Sequence, residues 1–340
     1  MYEIAPVVAG WQAAGRRYVL ARQVAVEGFG RRWPAQALAV ADDGQLAGTL
    51  LVGLADDPVR TAAAGMLATG GTETMQLLRL QVGNEQAAAA GLVCGGSATL
   101  LLQRDDGLPS ALWPLLAGSG SGVLVTVLSA PDAGASLLVP AAGEPSGSLG
   151  SASLDEVAVR DAARVLHTGR ATVESWTGEG RSLLSAVLVP SPRLVVVGAG
   201  EVAQALGRLA GVLGWDVIHL PGENADDSEV LASLGPDAAV VVLSHDLTVA
   251  APCLAAALSS GAGYVGAMGS RRTQAGRFDR LRSLGVGEQT LARIHGPAGL
   301  DIGARAPEEI AMSICAEILA ERSGRTSTSL SRLTGPIHPS

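Results

Sequence analysis

The chain contains no lysine, so all 24 of its basic residues are arginine. A Schiff-base enzyme, a pyridoxal phosphate anchor and a GxxxxGK[ST] phosphate loop all need lysine, so these classes are excluded. Any positive charge that a ligand meets must therefore come from arginine. Because alanine and glycine are also abundant, a GC-rich genome explains the bias without a functional cause.

Cysteine is also scarce, with three in 340 residues. Cys94, Cys253 and Cys315 are far apart and match no zinc-ligand spacing, which predicts reduced thiols. Cys253 and Cys315 fall in Ala-, Leu- and Ile-rich helical stretches, so we expect small buried thiols there. Cys94 differs, because Gly95 and Gly96 follow it and place it at a glycine turn.

Long apolar runs and basic runs are missing as well. No run reaches the roughly 18 to 20 residues that a membrane helix needs, and Met1-Tyr2-Glu3-Ile4 lacks the order of a secretion signal. We therefore expect a cytoplasmic protein without membrane contact. The net charge of −8 argues against nucleic acid as a partner.

Composition, length and one proline-rich segment predict two domains. With 48% hydrophobic and 16% charged residues the chain is globular, and 340 residues allow two cores. We place the boundary at Pro190-Ser191-Pro192, which gives an α+β domain at 1–189, a second domain at 190–325 and a loose tail at 326–340.

The first half reads as mixed helix and strand. Strands are predicted at 17–26, 35–40, 98–103, 122–128 and, within a hairpin, 137–139, and helices at 57–68 and 155–166. The Gly70-Gly71 pair is the expected stop of the first helix. Segment 110–116 fits either a short helix or a loop, because Trp113-Pro114 interrupts it.

The second half alternates between apolar strands and helices, which is typical of a parallel, Rossmann-like α/β sheet. Strands are predicted at 194–197, 216–220, 238–243 and 263–265, and helices at 201–213, 251–259, 273–284 and 307–321. The continuous apolar run at 238–243 indicates a strand covered on both faces.

Gly198-x-Gly200-x-x-Ala203 follows the first of these strands and opens a helix. Such a turn aims backbone N–H groups and the positive end of a helix at a phosphate. It can equally serve only to pack helix on strand. A dinucleotide dehydrogenase would also need an acid at the end of the second strand, but Glu223 is displaced into the following loop.

Ser244-His245-Asp246 follows the 238–243 strand, at the sheet edge where ligands bind in open α/β folds. His245 could be a general acid or base, or a ligand contact, with Asp246 orienting it. This segment could equally cap the next helix. No serine lies in a Gly-x-Ser-x-Gly elbow, so a hydrolase triad is not supported.

Two further segments complete the predicted site. Gly269 and the helix cap Ser270 precede Arg271 and Arg272, whose charges oppose the helix dipole and so indicate an anionic partner, unless the protein's own acids pair with them. The glycine-rich loop 295–305 carries three polar groups that could close a pocket or tie the loop down. These groups are His295, Asp301 and Arg305.

These segments resemble the XdhC/CoxI family, whose members are accessory factors for xanthine dehydrogenase and related molybdenum hydroxylases. The resemblance rests on Gly263 through Arg272, on Ala292 through Arg305 and on Pro307-Glu308-Glu309-Ile310-Ala311. It extends to Gly198-Ala199-Gly200, to Ser244-His245-Asp246 and more faintly to Cys94-Gly95-Gly96 and Gly147-Ser148-Leu149-Gly150.

The resemblance implies a Rossmann-like C-terminal domain preceded by a smaller N-terminal domain, often in a homodimer. It also implies a chaperone that binds molybdenum cofactor, protects it during sulfuration, with a sulfurase as a possible partner, and inserts it into a target hydroxylase. The family's Ser-Gly-Gly-Cys turn corresponds here to Leu51-Val52-Gly53-Leu54, and its Gly-Ser-x-Pro-Arg segment to Gly28-Phe29-Gly30-Arg31-Arg32. Cys94 is then the remaining glycine-flanked thiol and the candidate molybdenum ligand.

Two hypotheses stay open. We favour a non-catalytic cofactor chaperone, and the alternative is an NAD(P)-dependent oxidoreductase, or another small-metabolite enzyme on the same nucleotide-binding scaffold, with His245 and His295 as acid/base residues. The predicted cofactor-binding residues are Gly198, Gly200, Ala203, Cys94, Ser244, Asp246, Gly269, Ser270, Arg271, Arg272, Asp301 and Arg305. The altered first domain favours the enzyme, whereas the missing ribose-binding acid counts against it.

Overall fold

A computed structural model describes residues 1–29, 36–68, 73–166, 172–222 and 225–334, with the backbone alone at 225 and 226. Several predictions concern residues outside these ranges. They are the roles of Gly70-Gly71 and Glu223, the family segment at Gly30-Arg31-Arg32, the first residue of strand 35–40 and the end of the tail. The chain divides into two units, Met1–Pro190 and Ser191–Ser340. The first unit is therefore the longer one, where the resemblance implied a smaller domain.

The described residues of the first unit form two antiparallel five-stranded sheets. One has the order β3-β2-β1-β5-β4 and comprises β1 (Tyr18–Gly28), β2 (Ala37–Ala41), β3 (Leu46–Gly48), β4 (Met75–Val82) and β5 (Gly96–Arg104). The other has the order β8-β7-β6-β10-β9 and comprises β6 (Gly122–Val127), β7 (Ser136–Pro140), β8 (Ser146–Gly147), β9 (Val173–Gly178) and β10 (Arg181–Leu188). The predicted hairpin strand at 137–139 is thus confirmed within β7.

Five helices accompany these sheets among the described residues. They are α1 (Ala5–Ala13), α2 (Asp56–Leu67), α3 (Asn84–Ala89), α4 (Leu112–Ala117) and α5 (Ala152–Leu166). The segment 110–116, which the sequence left between helix and loop, forms α4, and Pro114 is tolerated because it lies in the first turn, where its missing N–H is not needed.

Alternation along β1 shows how the first sheet is buried. Val19 and Ala21 pack into the core beneath α2, whereas Tyr18 and Leu20 pack into a second core that includes Trp113. Successive side chains of a strand point to opposite faces, so both faces of β1 are covered. Tyr18 accepts a hydrogen bond at 2.6 Å from Nε1 of the buried Trp113.

The second unit is built on a parallel sheet of order β12-β11-β13-β14-β15. Its strands are β11 (Arg193–Val197), β12 (Asp216–Leu220), β13 (Ala238–Val242), β14 (Tyr264–Ala267) and β15 (Ile294–His295). Its helices are α6 (Glu201–Val212), α7 (Ala225–Ala232), α8 (Leu247–Ser260), α9 (Arg271–Ser283), α10 (Glu288–Leu291) and α11 (Pro307–Arg322).

Both faces of this sheet are covered, as the apolar strands predicted. Val195 and Val197 pack with residues of α8, whereas Leu194 and Val196 pack with residues of α6 and α11. The Rossmann-like α/β architecture of the second unit is therefore confirmed. In the part of the chain that the structure describes, no helix has the length and apolar character needed to cross a bilayer.

Candidate functional site at the carboxyl edge of the parallel sheet

The segments that follow the strands of the parallel sheet are joined by backbone hydrogen bonds at its carboxyl edge. Leu243 N donates to Val197 O at 2.9 Å, and Met268 N donates to Val242 O at 2.9 Å. Ala298 N donates to Ala267 O at 3.0 Å. The predicted segments after β11, β13, β14 and β15 are therefore neighbours along one edge.

The glycine turn after β11 adopts a backbone conformation that favours glycine. Gly198 and Gly200 have φ of 109° and 110°, values that side-chain-bearing residues rarely adopt. A Cβ atom on Gly198 would lie 3.4 Å from Ser244 N, so the two segments approach closely. Gly200 is the N-cap of α6 and supplies no side-chain bond to its first N–H groups, which leaves them for an anion. Ala203 is buried and packs α6 against the sheet.

At the end of β13 the structure favours the capping alternative for Asp246. Its Oδ1 accepts bonds from Thr248 N at 2.8 Å and Thr248 Oγ1 at 2.7 Å, and it caps α8. These bonds lower the pKa of Asp246. Helix α8 accordingly begins at Leu247, four residues before the predicted start. His245 is exposed, and Ser244 Oγ accepts from Asp246 N at 3.2 Å.

At the end of β14, Gly269 has φ of 133° and Ser270 caps α9 by accepting a bond from Thr273 N at 3.2 Å. The predicted cap is thus confirmed. Arg271 and Arg272 are exposed in the first turn of α9. Within the described residues neither guanidinium has an ion pair or a hydrogen bond, so pairing with the protein's own acids is not seen there. Two free cations therefore stand at a helix end whose dipole opposes them, and an anion would stabilise both.

The loop after β15 is fastened by a carboxylate that sequence reasoning missed. Glu317 of α11 accepts bonds from Tyr264 Oη at 2.5 Å and from Gly299 N at 2.8 Å, both at Oε2. Its Oε1 lies 3.6 Å from Nδ1 of His295, whose ring stacks on Tyr264 at 4.5 Å between centroids. One carboxylate thus links β14, β15, α11 and the loop.

Electrostatics in this cluster follow from the ionised carboxylate. Burial opposes the charge of Glu317, but its hydrogen bonds outweigh burial and lower its pKa. The bond with Glu317 raises the pKa of His295 against the opposing effect of burial, and the charge of Glu321 adds to the rise. Burial and the bond to Glu317 raise the pKa of Tyr264. His295 therefore gains a proton more readily than a free histidine.

Main-chain groups, and not the predicted side chains, hold the rest of this loop. Leu300 N donates to Ser313 O at 3.2 Å, and Arg305 N donates to Glu309 Oε2 at 2.8 Å. The side chains of Asp301 and Arg305 are exposed, with no hydrogen bond or ion pair to other described residues. The sequence predicted that these side chains either close a pocket or hold the loop by internal hydrogen bonds. Among the described residues, no such hydrogen bonds are seen for Asp301 and Arg305.

Sequence reasoning also missed two buried polar side chains of α9. Gln274 Nε2 donates to Ala267 O at 3.0 Å, and Arg277, with no exposed surface, donates to the carbonyls of Ser244 and Met268. A signal was available: α9 reads RRTQAGRFDRLRS and has too few apolar residues to cover a sheet, so polar side chains must turn inward.

Cys94 lies in the first unit, in the loop between α3 and β5, and is half-buried. This loop is held by Gly95 N, which donates to Asn84 Oδ1 at 2.8 Å, and by Phe29 N, which donates to Gly95 O at 3.1 Å. Cys253 and Cys315 are buried as predicted, and burial raises the pKa of Cys315 to about 11. No group of three or more His, Cys, Asp or Glu among the described residues could hold a metal ion.

A shallow groove of about 440 Å³ lies elsewhere, beside α5 in the first unit. Its lining includes Leu137, Asp155, Glu156 and Arg160. None of the predicted site residues lines it. Its two carboxylates also make it a poor place for an anion, so we place the candidate site at the sheet edge.

The sequence matches two family descriptions that together span most of the chain. Residues 194–318 match the XdhC Rossmann domain, and residues 11–80 and 115–177 match the XdhC and CoxI family. The chain belongs to the XdhC/CoxI family. The resemblance drawn from its glycine-rich segments is thereby confirmed.

Curated proteins of two bacteria are similar to this XdhC/CoxI chain. An Escherichia coli protein described as molybdenum cofactor insertion chaperone PaoD is 34% identical over 135 residues, 39% of this chain and 41% of that protein. Uncharacterized protein YqeB of the same organism is 27% identical over 244 residues, 62% of this chain and 44% of that protein. A Bacillus subtilis protein, described as a probable component of xanthine dehydrogenase, is 33% identical over 155 residues, 39% of this chain and 44% of that protein. The matches span less than half of each relative.

A solved structure supports the fold over the whole length. A chain described as a xanthine dehydrogenase from Bacillus halodurans aligns with a TM-score of 0.57 and 18% identity, covering 96% of this chain and 98% of that one. At this identity the likeness concerns the fold.

Proposed function

We propose that this protein binds molybdenum cofactor and delivers it to a molybdenum hydroxylase of the xanthine dehydrogenase type, without catalysing a reaction of its own. The family and the chaperone relative support a role in maturation. The observation that carries the proposal is the placement of two free guanidinium groups, Arg271 and Arg272, on the same sheet edge as the Gly198–Gly200 turn.

The residues at this edge fit the phosphate of a pterin cofactor. The turn and the uncapped start of α6 offer N–H donors, and arginine pairs with phosphate through two parallel bonds. His245, Ser244, Asp301 and Arg305 border the same edge and are proposed as further contacts. The cofactor would bring its own molybdenum and dithiolene sulfur, and the chain would hold and shield them.

The same edge suits a nicotinamide dinucleotide less well. Among the described residues, Asp227 is the acid that bonds to the segment after β12. It is buried, and its Oδ2 accepts a hydrogen bond from Gly222 N at 2.6 Å. His219, near the end of that strand, packs against α6 at Gly207. A ribose would therefore compete with bonds that the fold already uses.

Cofactor that co-purifies from a molybdenum-replete host tests the proposal. The full chain is purified without oxygen, bound pterin is oxidised to its fluorescent form and quantified, and NAD(P) is assayed in parallel. We expect pterin on the wild type and less than a tenth of that amount on the Arg271→Gln, Arg272→Gln double variant. Arg280→Gln, an exposed arginine further along α9, is the matched control and should retain the wild-type amount. Bound NAD(P) in place of pterin, or equal retention by the double variant, would reject the proposal.

The role of Cys94 as a molybdenum ligand is a separate part of the proposal. Cys94→Ala should lower the ratio of molybdenum to pterin while pterin itself is retained, because only the thiolate is lost. Val93→Ala, an equally small change at the exposed neighbouring residue, should keep the ratio. An unchanged ratio in Cys94→Ala would show that the metal is held without this thiol.

The proposal extends to the location, oligomeric state and partners of the protein. We place the protein in the cytoplasm, as a homodimer that meets a target hydroxylase and a sulfurase. Co-precipitation with a tagged hydroxylase before and after cofactor loading tests the partner, and light scattering tests the dimer.

A further inference from the structure

A buried guanidinium lies directly beneath the carboxyl edge of the parallel sheet. Arg277 has no exposed surface. Its Nη1 donates to Gln274 Oε1 at 2.7 Å, its Nη2 donates to Ser244 O at 3.1 Å, and both nitrogens donate to Met268 O at 3.2 Å. Its Nε is buried and has no partner among the residues that the structure describes. Every partner is a neutral oxygen.

The charge of Arg277 is therefore not balanced inside the described part of the chain, where it forms no ion pair. Burial lowers the pKa of Arg277, but an arginine stays charged at neutral pH. A buried charge without a counter-charge is costly, and three carbonyl or amide oxygens offset that cost only in part. An anion at the edge above would complete the balance.

The position of Arg277 ties this charge to the glycine turn. Ser244, whose carbonyl Arg277 holds, is the residue whose N lies 3.4 Å from the Cβ position of Gly198. Met268, whose carbonyl it also holds, directly precedes Gly269. The guanidinium thus sits between the two segments that would face a phosphate, and it fixes the backbone of both.

We propose that Arg277 is a buried positioning residue whose fixed positive charge makes this edge select ligands that carry a phosphate ester. Arg277 does not touch the ligand; it acts through its field and through the backbone of Ser244 and Met268, whereas the exposed Arg271 and Arg272 make the direct contacts. The inference deepens the proposed function and rests on it only for the identity of the ligand as a pterin.

The expected effect is large enough to measure. A unit charge that acts on a phosphate across one layer of backbone, in an effective dielectric constant of about 20, changes affinity by at least about tenfold. The charge of Arg277 should hardly change the affinity for a ligand without phosphate. The ratio of the two dissociation constants therefore reports the charge, whereas a purely structural role of Arg277 would weaken both ligands alike.

The test measures binding of two probes to the full chain by fluorescence. The probes are an oxidised pterin that carries its phosphate ester and the same pterin after phosphatase treatment. We expect the wild type to prefer the phosphorylated probe and Arg277→Met to reduce that preference at least tenfold, through the phosphorylated probe alone. Arg277→Lys should show a smaller reduction. Arg280→Gln should behave as wild type. Equal weakening of both probes in Arg277→Met, or an unchanged preference, would overturn the inference.

Salt dependence of the wild type gives a second measurement if Arg277→Met does not fold. A buried charge is screened much less than exposed ones. Between 50 mM and 500 mM salt we expect the contribution of the exposed Arg271 and Arg272 to fall, and a preference of at least about threefold for the phosphorylated probe to remain. A preference that disappears at high salt would belong to Arg271 and Arg272 and would overturn the role of Arg277.

A third probe separates this inference from the proposed function. If a nucleoside monophosphate binds as well as the phosphorylated pterin and also depends on Arg277, the role of Arg277 holds and the pterin proposal fails. If the phosphorylated pterin is preferred and Arg277→Met leaves that preference unchanged, the role of Arg277 fails while the pterin proposal stands.

Discussion

The carboxylate of Glu317 should account for a measurable share of the stability of the second unit. Glu317→Gln keeps the shape and one acceptor oxygen, which can still receive the bonds from Tyr264 and Gly299, but it removes the negative charge. The amide nitrogen of glutamine then faces His295 Nδ1, where the carboxylate oxygen lies at 3.6 Å.

The size of the loss follows from the kind of bond. Hydrogen bonds to a charged group contribute about 1.5 to 3 kcal/mol and neutral ones about 0.5 to 1.5 kcal/mol, so converting this carboxylate should cost about 1 to 3 kcal/mol of the free energy of unfolding. The carboxylate side chain is only 16% exposed, so solvent weakens these bonds little.

The two shifted pKa values determine how the free energy of unfolding changes with pH. The raised pKa of His295 contributes stability that is complete below its ordinary value of 6.5 and is lost as pH rises through the raised folded value. The lowered pKa of Glu317 contributes stability that is complete above its ordinary value of 4.5 and is lost as pH falls through the lowered folded value. The difference between wild type and Glu317→Gln should therefore be largest between these two pH values and should shrink in mild alkali.

Urea unfolding across this pH range measures the effect, and NMR titration of His295 measures its pKa in both proteins. We expect the pKa of His295 to fall in Glu317→Gln. Glu321→Gln, one turn further along α11, changes a charge that acts on His295 only through space and should alter stability much less. A stability difference below about 0.5 kcal/mol, or one that grows as pH rises above 6.5, would refute this reasoning.

Three further predictions concern other parts of the chain. Arg22 is buried, and burial lowers its pKa to about 10; its Nη2 donates to Gln103 Oε1 at 2.7 Å and to Thr126 Oγ1 at 3.0 Å, whereas Nε and Nη1 have no partner among the described residues. Removing the buried charge offsets the loss of these two bonds, so Arg22→Met should lower the free energy of unfolding by less than about 2 kcal/mol, and a larger loss in urea unfolding would contradict this. Val52 is a β-branched residue with φ of 56° and is half-exposed, so Val52→Gly should raise the melting temperature, with a net gain of up to about 1 kcal/mol, and a fall would contradict it. Gly299 has φ of 108°, and an added Cβ would overlap Ser313 Oγ, so Gly299→Ala should cost at least about 2 kcal/mol and expose the loop to proteolysis. Wild-type resistance to proteolysis would show that the loop adapts.

The sequence predicted the second unit better than the first, and particular elements show why. Strand β13 differs from its prediction by one residue, because a parallel strand buried on both faces is continuously apolar. Helix α11 also differs by one residue, because it starts with proline and two acids. In the first unit β4 was missed although its burial alternates, because MQLLRLQV places two leucines side by side and hides the period. Helix α1 was missed because APVVAGWQA has apolar residues all around.

The candidate site was predicted to a similar, partial extent. Glycine turns, the cap Ser270 and the free arginines are readable because each rests on local chain geometry. Glu317 and Arg277 were not, because their roles depend on which face of α11 and α9 meets the sheet. A glutamate in AEI and an arginine in a polar helix look like solvent-facing residues until the topology is known.

The structure of the full chain with the phosphorylated pterin bound tests the central claim most directly. We predict the phosphate within hydrogen-bonding distance of the N–H groups at 199–203 and of Arg271 or Arg272, at the carboxyl edge of the parallel sheet. A pterin that sits in the groove beside α5, or one whose phosphate makes no contact with the second unit, would contradict the account.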